Sequence, residues 1–267
     1  MVSLSNGLND YSGTTQVQAG TLRTDADGAL GNTSELNISN GAMADLNNTL
    51  QTAGMLTGQA GSTLNINSGS LTLANGGLSE GMLTGNGNLN IAGGVLTING
   101  ANSTLSATTT ISSNAEVVIN DAQGAGSGDI TDEGTLTLNG VTGTLANNIN
   151  GTGNVNATNT TDVVLSGDNS SFSGLFNIGS ASNLTVSEQN HLGTAAVNDN
   201  GLLIVDTDSN WTLANNVSGS GDLTKTGSGV LTLTQNSAAL TGTTEILGGE
   251  IALGDKTTSP VDMASQQ

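Results

Sequence analysis

The sequence has no cysteine, one proline, four aromatic residues and three basic residues among its 267 positions. The lack of cysteine excludes disulfides, thiolate metal sites, iron–sulfur clusters and cysteine nucleophiles. The three basic residues stand against 22 acidic ones, and the net charge of −19 excludes a nucleic-acid binder that works by neutralising phosphates. No apolar run approaches the roughly 18 residues that a membrane-spanning helix requires.

The abundant residues are glycine, with 39 positions, and Asn, Thr and Ser. Gly and Asn favour turns and Thr favours strands, so this composition opposes long helices. A globular domain of this length normally fills its core with aromatic side chains, and their scarcity argues against such a core. Because only 9% of residues are charged and the aliphatic residues recur at regular spacing, we expect an ordered chain.

The aliphatic residues belong to internal repeats. The segment LNINSGSLTL, which begins at Leu64, returns as LNIAGGVLTI at Leu89. In the second half TLANNINGTGNV, which begins at Thr144, returns as TLANNVSGSGDL at Thr212. Within each repeat a short alternation of apolar and polar residues ends at Gly or Asn, which predicts short strands joined by tight turns.

Repeats of this kind predict a parallel β-solenoid, in which each repeat forms one coil. With about 22–28 residues per coil, we expect roughly 10–12 coils stacked about 4.8 Å apart. Equivalent leucines such as Leu64 and Leu89 would then lie above one another in a narrow aliphatic core, with Thr, Asn and Ser outside. The alternatives are a stacked antiparallel repeat and a propeller, whose blades of about 40–45 residues carry an aromatic signature that this sequence lacks.

A family resemblance supports the solenoid. The segment GSGDLTKTGSGVLTLTQNSAALTGTTEILGGEI at 219–251 resembles the autotransporter-associated β-strand repeat of type V secretion passenger domains. The family pattern runs roughly GxGxLxKxGxGxLxLxGxNxYxGxTxVxxGxL, and Leu240 replaces its aromatic residue after one extra position, whereas an N-terminal copy keeps it as Tyr11. The matching residues are Gly219, Gly221, Leu223, Lys225, Gly227, Gly229, Leu231, Leu233, Asn236, Gly242, Thr244, Ile246, Gly249 and Ile251.

The resemblance implies an all-β, right-handed parallel β-helix over residues 1–254, displayed on the outer membrane of a Gram-negative cell or secreted from it. It also implies that the full-length chain has a removed signal sequence and a C-terminal translocator β-barrel. In many passengers the last coils fold first, and residues 212–253 are the candidates for such an autochaperone-like part, an ordinary coil being the alternative. Residues 255–267 are expected to form a C-terminal tail or the start of a linker.

Candidate catalytic residues are few. A Ser–His–Asp triad would have to use His191, the single histidine, which we expect in a solvated turn. A polysaccharide-active site would need paired carboxylates and nearby basic residues, but the basic residues are far apart in the sequence. Solvated surface carboxylates are therefore the expected interpretation. The candidate carboxylates form two groups: Asp129, Asp132 and Glu133, and Asp199, Asp206 and Asp208.

The segment GAGSGDIT at 124–131 weakly matches a cation-binding motif. It resembles the calcium-binding GGxGxDxUx repeat, but that motif works in tandem because each ion is shared between turns. We therefore expect a glycine-rich loop there. No catalytic, cofactor-binding or metal-binding residue is predicted, and the chain is not expected to be an enzyme.

The function that this surface favours is adhesion. Long rows of Asn, Ser and Thr suit contacts between passengers on neighbouring cells, as in autoaggregation and biofilm, or contacts with a host or matrix protein or a glycan. One alternative is a structural stalk that presents a distal module, and a less favoured one is a polysaccharide-active β-helix enzyme. The charge of −19 repels like molecules, so self-association is expected to depend on salt.

Overall fold

The computed structural model describes residues 1–234 and 239–254, and its regular elements are short β-strands with one 3₁₀ turn. The chain divides into two compact units, residues 1–137 and the residues from Leu138 onward. The single β-helix over residues 1–254 stays a prediction. The predicted tail at 255–267 and the motif residue Asn236 lie outside the described residues.

The strands of the first unit are short. They are β1 (Val2–Leu4), β2 (Thr14–Val17), β3 (Thr21–Thr24), β4 (Glu35–Ile38), β5 (Met43–Asp45), β6 (Leu50–Ala53), β7 (Met55–Gly58), β8 (Thr63–Asn65), β9 (Ser70–Leu73), β10 (Gly76–Ser79), β11 (Met82–Thr84), β12 (Asn88–Ile91), β13 (Gly94–Ile98), β14 (Thr108–Ile111), β15 (Ala115–Ile119) and β16 (Ile130–Asp132). The boundary between the units falls within β17 (Thr135–Asn139).

The second unit is built in the same way. Its elements are β18 (Thr142–Leu145), β19 (Ile149–Gly151), β20 (Asn154–Thr158), β21 (Asp162–Leu165), β22 (Leu175–Ile178), β23 (Asn183–Val186), the 3₁₀ turn η1 (Gln189–His191), β24 (Ala196–Asp199), β25 (Leu202–Asp206), β26 (Trp211–Leu213), β27 (Val217–Ser218), β28 (Asp222–Thr226), β29 (Val230–Leu233), β30 (Thr244–Ile246) and β31 (Glu250–Leu253).

Each unit is a parallel β-solenoid with three sides. In the first unit sheet A contains β2, β4, β7, β10, β13 and β15, sheet B contains β1, β3, β5, β8 and β11, and sheet C contains β6, β9, β12, β14 and β16. In the second unit sheet D contains β20, β22, β24 and β27, sheet E contains β18, β21, β23, β25, β28 and β30, and sheet F contains β26, β29 and β31. From β4 to β13 the chain visits sheets A, B and C in turn. The whole fold makes about 12 turns. The predicted all-β parallel solenoid of 10–12 coils is confirmed, and its handedness stays a prediction.

The core consists of columns of inward-facing aliphatic side chains, because alternate strand residues point to one side and successive parallel strands are in register. In sheet A, Leu36 pairs with Leu56, and both side chains are fully buried. In sheet E the buried Val163, Leu184 and Leu203 pair in sequence from coil to coil. The narrow aliphatic core that the sequence predicts is therefore present in both units.

The predicted register of the repeats is wrong. Leu64 does not stack on Leu89: Leu64 pairs with Leu83 in sheet B, whereas Leu89 pairs with Leu71 in sheet C. The pairing of Leu71 with Leu89 is among the shortest steps in the sequence between paired residues, and the pairing of Thr21 with Met43 is among the longest. Even the longest step falls short of the distance from Leu64 to Leu89, so one coil is shorter than the sequence repeat.

The sequence repeat instead advances one coil and one further side. LNINSGSLTL covers β8 and β9 in sheets B and C, while LNIAGGVLTI covers β12 and β13 in sheets C and A. The longer repeat, which relates Thr144 to Thr212, also changes side, since Leu165 lies in sheet E and its counterpart Leu233 lies in sheet F. Similar sequences thus form similar strands on different faces of the solenoid.

This register is testable by a double-mutant cycle. Replacing Leu71 and Leu89 by alanine should each cost about 2–5 kcal/mol, because both side chains are fully buried. As direct neighbours in one column the two sites should couple by about 0.5–3 kcal/mol in denaturant unfolding. Leu64→Ala combined with Leu89→Ala is the matched control, and stronger coupling in that pair would contradict the register.

Candidate functional site

Two of the six carboxylates proposed from the sequence lie inside the solenoid. Asp132 ends β16, where it continues a buried column that contains Ile91 and Ile111. Asp199 ends β24, where it pairs with the buried Ile178. Both aspartates have no exposed surface, so the expectation of solvated carboxylates is wrong for these two.

The two buried aspartates close the same kind of turn. Asp132 Oδ1 accepts a hydrogen bond from the backbone N–H of Gly134 at 3.0 Å, and Asp199 Oδ1 accepts one from Gly201 at 2.9 Å. A Cβ atom at Gly134 would lie only 2.3 Å from the carbonyl oxygen of Ser112, which explains the glycine in this Asp-x-Gly turn. The alternation of strand residues and this close turn therefore place a carboxyl group where other coils carry isoleucine.

Burial controls the protonation of both groups. The Oδ2 atoms of Asp132 and Asp199 have no hydrogen-bond partner among the described residues. Loss of hydration raises the pKa of Asp132 from 3.8 to about 7, against the opposing bond from Gly134. The same desolvation raises the pKa of Asp199.

The other four candidate carboxylates face outward and do not join the buried pair. Asp129 and Glu133 are exposed. Asp206 accepts a hydrogen bond from the Thr226 hydroxyl at 2.8 Å, and Asp208 accepts one from the Ser228 backbone N–H at 2.8 Å. In both groups one carboxylate is therefore inside and two are outside, which does not form the paired arrangement of a glycosidase.

His191 is buried, with 7% of its surface exposed, so the expected solvated histidine is wrong although the predicted turn is present. Its Nδ1 accepts a hydrogen bond from the Ser187 backbone N–H at 3.2 Å. Burial lowers the pKa of the imidazole, while the charges of Glu188 and Asp168 act in the opposite direction. These contacts give the histidine a place in the packing of a turn.

The glycine-rich segment at 124–131 forms turns that lead into β16, as the sequence predicts. Its Gly124 carbonyl accepts a hydrogen bond from Asn102 Nδ2 at 2.7 Å. In residues 1–234 and 239–254, no group of three or more His, Cys, Asp or Glu side chains is placed to hold a metal ion.

Buried asparagines link three successive coils, a role that the sequence reasoning missed. Asn169 Oδ1 accepts from the Ile149 N–H at 2.6 Å, and its Nδ2 donates to the His191 carbonyl at 2.7 Å. Asn102 makes the equivalent bonds to Leu83 and to Gly124. The signal in the sequence is the segment Asn-Ser-x-Leu or Asn-Ser-x-Phe, which occurs at 102–105 and 169–172.

Lys225, a residue of the family motif, is also fully buried. It pairs with Val205 and Ile246, so its stem continues a core column of sheet E. Its three N–H donors are shared among four backbone carbonyls, those of Thr207 at 3.3 Å, Gly227 at 3.1 Å, Gly248 at 3.4 Å and Thr226. The ammonium group therefore joins turns of three successive coils.

The outer face of sheet D carries a row of amides. Asn177 Nδ2 donates to Asn156 Oδ1 at 2.8 Å, and Asn198 Nδ2 donates to Asn177 Oδ1 at 3.2 Å. An amide has two N–H donors and two acceptor sites. The bonds along the row use one donor and one acceptor site of Asn177, so half of its hydrogen-bonding groups stay unused in the row. We call Asn156, Asn177 and Asn198 the amide row.

Comparison with known families agrees with the motif. Residues 2–23 and 223–253 match the passenger-associated-transport-repeat family. These two segments hold β1–β3 and β28–β31, and the second contains the buried Lys225. The chain thus carries repeats of the type found in autotransporter passengers, in agreement with the resemblance seen in the sequence.

Two relatives come from Escherichia coli (strain K12). The chain is 57% identical over 265 residues to "Uncharacterized lipoprotein YdeK" and 45% identical over 264 residues to "Uncharacterized protein YuaQ". The alignments cover 99% of this chain but only 20% and 19% of those proteins. The chain therefore spans about a fifth of the length of the curated relatives it matches. No solved structure matches the chain, and the described residues contain no helix with the length and apolarity to cross a bilayer.

The buried Asp132 predicts a pH-dependent stability. Because the pKa of Asp132 is raised, the folded chain keeps its proton up to about pH 7, whereas the unfolded chain releases it near pH 3.8. The contribution of the protonated group to the free energy of unfolding is therefore lost as pH rises from about 3.8 towards about 7. The free energy of unfolding of Asp132→Asn, measured relative to that of the parent chain, should therefore rise by about 2–4 kcal/mol from pH 4 to pH 8. Denaturant unfolding across this range measures the gain. The control is Asp10→Asn at an exposed site, and equal pH profiles for the two variants would refute the prediction.

The asparagine links give a second prediction. Asn169→Ala leaves the buried Ile149 N–H and His191 carbonyl without this partner, so we expect a loss of about 2–4 kcal/mol of unfolding free energy. Asn177→Ala, in the half-buried amide row, should cost less than about 1 kcal/mol. Thermal or denaturant unfolding compares the two variants, and similar costs would show that the buried link has no special role.

Proposed function

We propose that the chain is part of the passenger of an autotransporter-type protein of the cell envelope, and that it serves in adhesion by self-association. The observation that carries the proposal is the parallel solenoid with passenger-associated transport repeats at 2–23 and 223–253. One relative is named a lipoprotein, and this supports an envelope location for the whole protein. No enzymatic activity is part of the proposal.

Self-association is favoured by the nature of the outer faces. The amide row retains unused donors and acceptors, and each hydrogen bond to a second molecule adds roughly 0.5–1.5 kcal/mol. Many such bonds in register would act together, because the first contact raises the effective concentration of the next.

The net negative charge opposes this contact and makes it depend on the salt concentration. Among the described residues Lys225 is buried and Arg23 is paired with Asp25 at 2.8 Å, so the surface is left with a large excess of carboxylates. Like-charged molecules repel at low ionic strength, and salt screens this repulsion. Association should therefore be weak at low salt and stronger at physiological salt.

Beads coated with the purified chain test the proposal. We expect clumping at about 150 mM salt and much less at about 10 mM, where the screening length is about four times longer. Asn177→Asp should reduce clumping several-fold, because it places a charge in the amide row.

Asn183→Asp on sheet E is the control, since it makes the same change of net charge outside the amide row. Equal effects of the two substitutions would exclude the amide row as the contact. Beads that stay dispersed at every salt concentration would favour a structural stalk, for which the buried coil-linking side chains provide a specific basis.

A further inference from the structure

Three exposed aliphatic side chains lie on neighbouring strands of sheet A. Met55, Leu78 and Val95 point outward on three successive strands, β7, β10 and β13, and their exposed fractions are 42%, 37% and 46%. We call these three residues the aliphatic patch. Contiguous exposed apolar side chains with polar surroundings are typical of a binding surface.

The register places Met55 and Val95 in one column. Val95 pairs with Gly76, and the pairing of Gly77 with Leu56 sets Gly76 beside Met55. Gly76 is buried between the two larger side chains, and it cannot be replaced without strain because a Cβ atom would lie 2.2 Å from the Val95 carbonyl oxygen. Leu78 lies two residues further along β10, where it pairs with Thr57 and Thr97.

Carboxylates stand at both ends of the same column. Glu35 pairs with Met55, and Glu116 pairs with Val95. Four strand spacings separate the two glutamates, which corresponds to about 19 Å. The order along the column is therefore acidic, aliphatic, glycine, aliphatic, acidic.

We propose that the aliphatic patch binds a protein segment with an aliphatic centre and a basic residue at each end. The charge pattern favours this occupant, because lysine or arginine at the two ends would face Glu35 and Glu116. A second copy of the chain is the poorer occupant, since it would bring further glutamates to the same carboxylates on a molecule of charge −19. This binding is separate from the proposed self-association, which uses the amide row of the second unit.

An extended seven-residue peptide with lysine at both ends and Val-Leu-Val at its centre matches the patch. Its terminal residues are about 20 Å apart when extended, close to the separation of the two glutamates. Fluorescence anisotropy with the labelled peptide and dilute, monomeric chain measures the affinity. We expect binding that weakens with salt, and no comparable binding of a peptide with glutamate at both ends.

Substitutions of outward-facing residues distinguish the contribution of the aliphatic patch from that of the two glutamates. The combination Met55→Thr, Leu78→Thr and Val95→Thr keeps strand-forming residues and should weaken binding about tenfold. Glu35→Gln with Glu116→Gln should weaken it roughly threefold per charge and reduce the salt dependence. Thermal unfolding confirms that each variant is folded.

Matched controls exclude general effects. Val164→Thr removes an aliphatic side chain of similar exposure on sheet E, and Asp162→Asn with Asp222→Asn removes two charges from that sheet. These variants should bind the lysine peptide as the parent chain does. The proposal is overturned if they weaken binding equally, if the patch variants leave the affinity unchanged, or if the patch variants only dissociate an oligomer of the chain.

Discussion

The structure depends on hydrogen bonds between the backbones of successive coils. A buried peptide group without a partner costs as much as a lost hydrogen bond, so each strand must lie against a strand of the next coil. In a closed globular domain many elements share this task, but here the neighbour is always one coil away along the chain, as in the pairing of Leu36 with Leu56. The register of this pairing then determines which side chains are stacked in the core.

Strand pairing provides partners for the backbone N–H and C=O groups along the sides of each coil. Buried polar side chains provide partners for such groups at several corners. Asn169 and Asn102 each reach one coil in either direction, and the Lys225 ammonium donates to carbonyls of three turns. Asp132 and Asp199 serve one turn each and retain an unpartnered oxygen inside the described core. Buried polar residues of this chain thus either link successive coils, as the two asparagines and the lysine do, or close a single turn, as the two aspartates do.

The sequence predicted the class of fold but not its register. Aliphatic alternation, Gly and Asn turns and the lack of aromatics were sufficient to predict a parallel solenoid, since these properties follow from local geometry. The match between Leu64 and Leu89 was misleading, because similarity of sequence identifies similar strands and does not fix how many strands complete a coil. Burial of Asp132, Asp199 and Lys225 was not predictable either, because such residues are normally exposed and only the pairing with neighbouring coils places them inside.

The mismatch between repeat and coil has a consequence for how such a protein diversifies. Each coil has three sides, whereas the repeat that begins at Leu64 advances by four strands. A gene duplication of this unit would therefore rotate its outer residues onto an adjacent face with every added copy. A contact residue gained in the unit would therefore recur on a different face in each added copy. A face with the same residues on every coil would require separate point mutations.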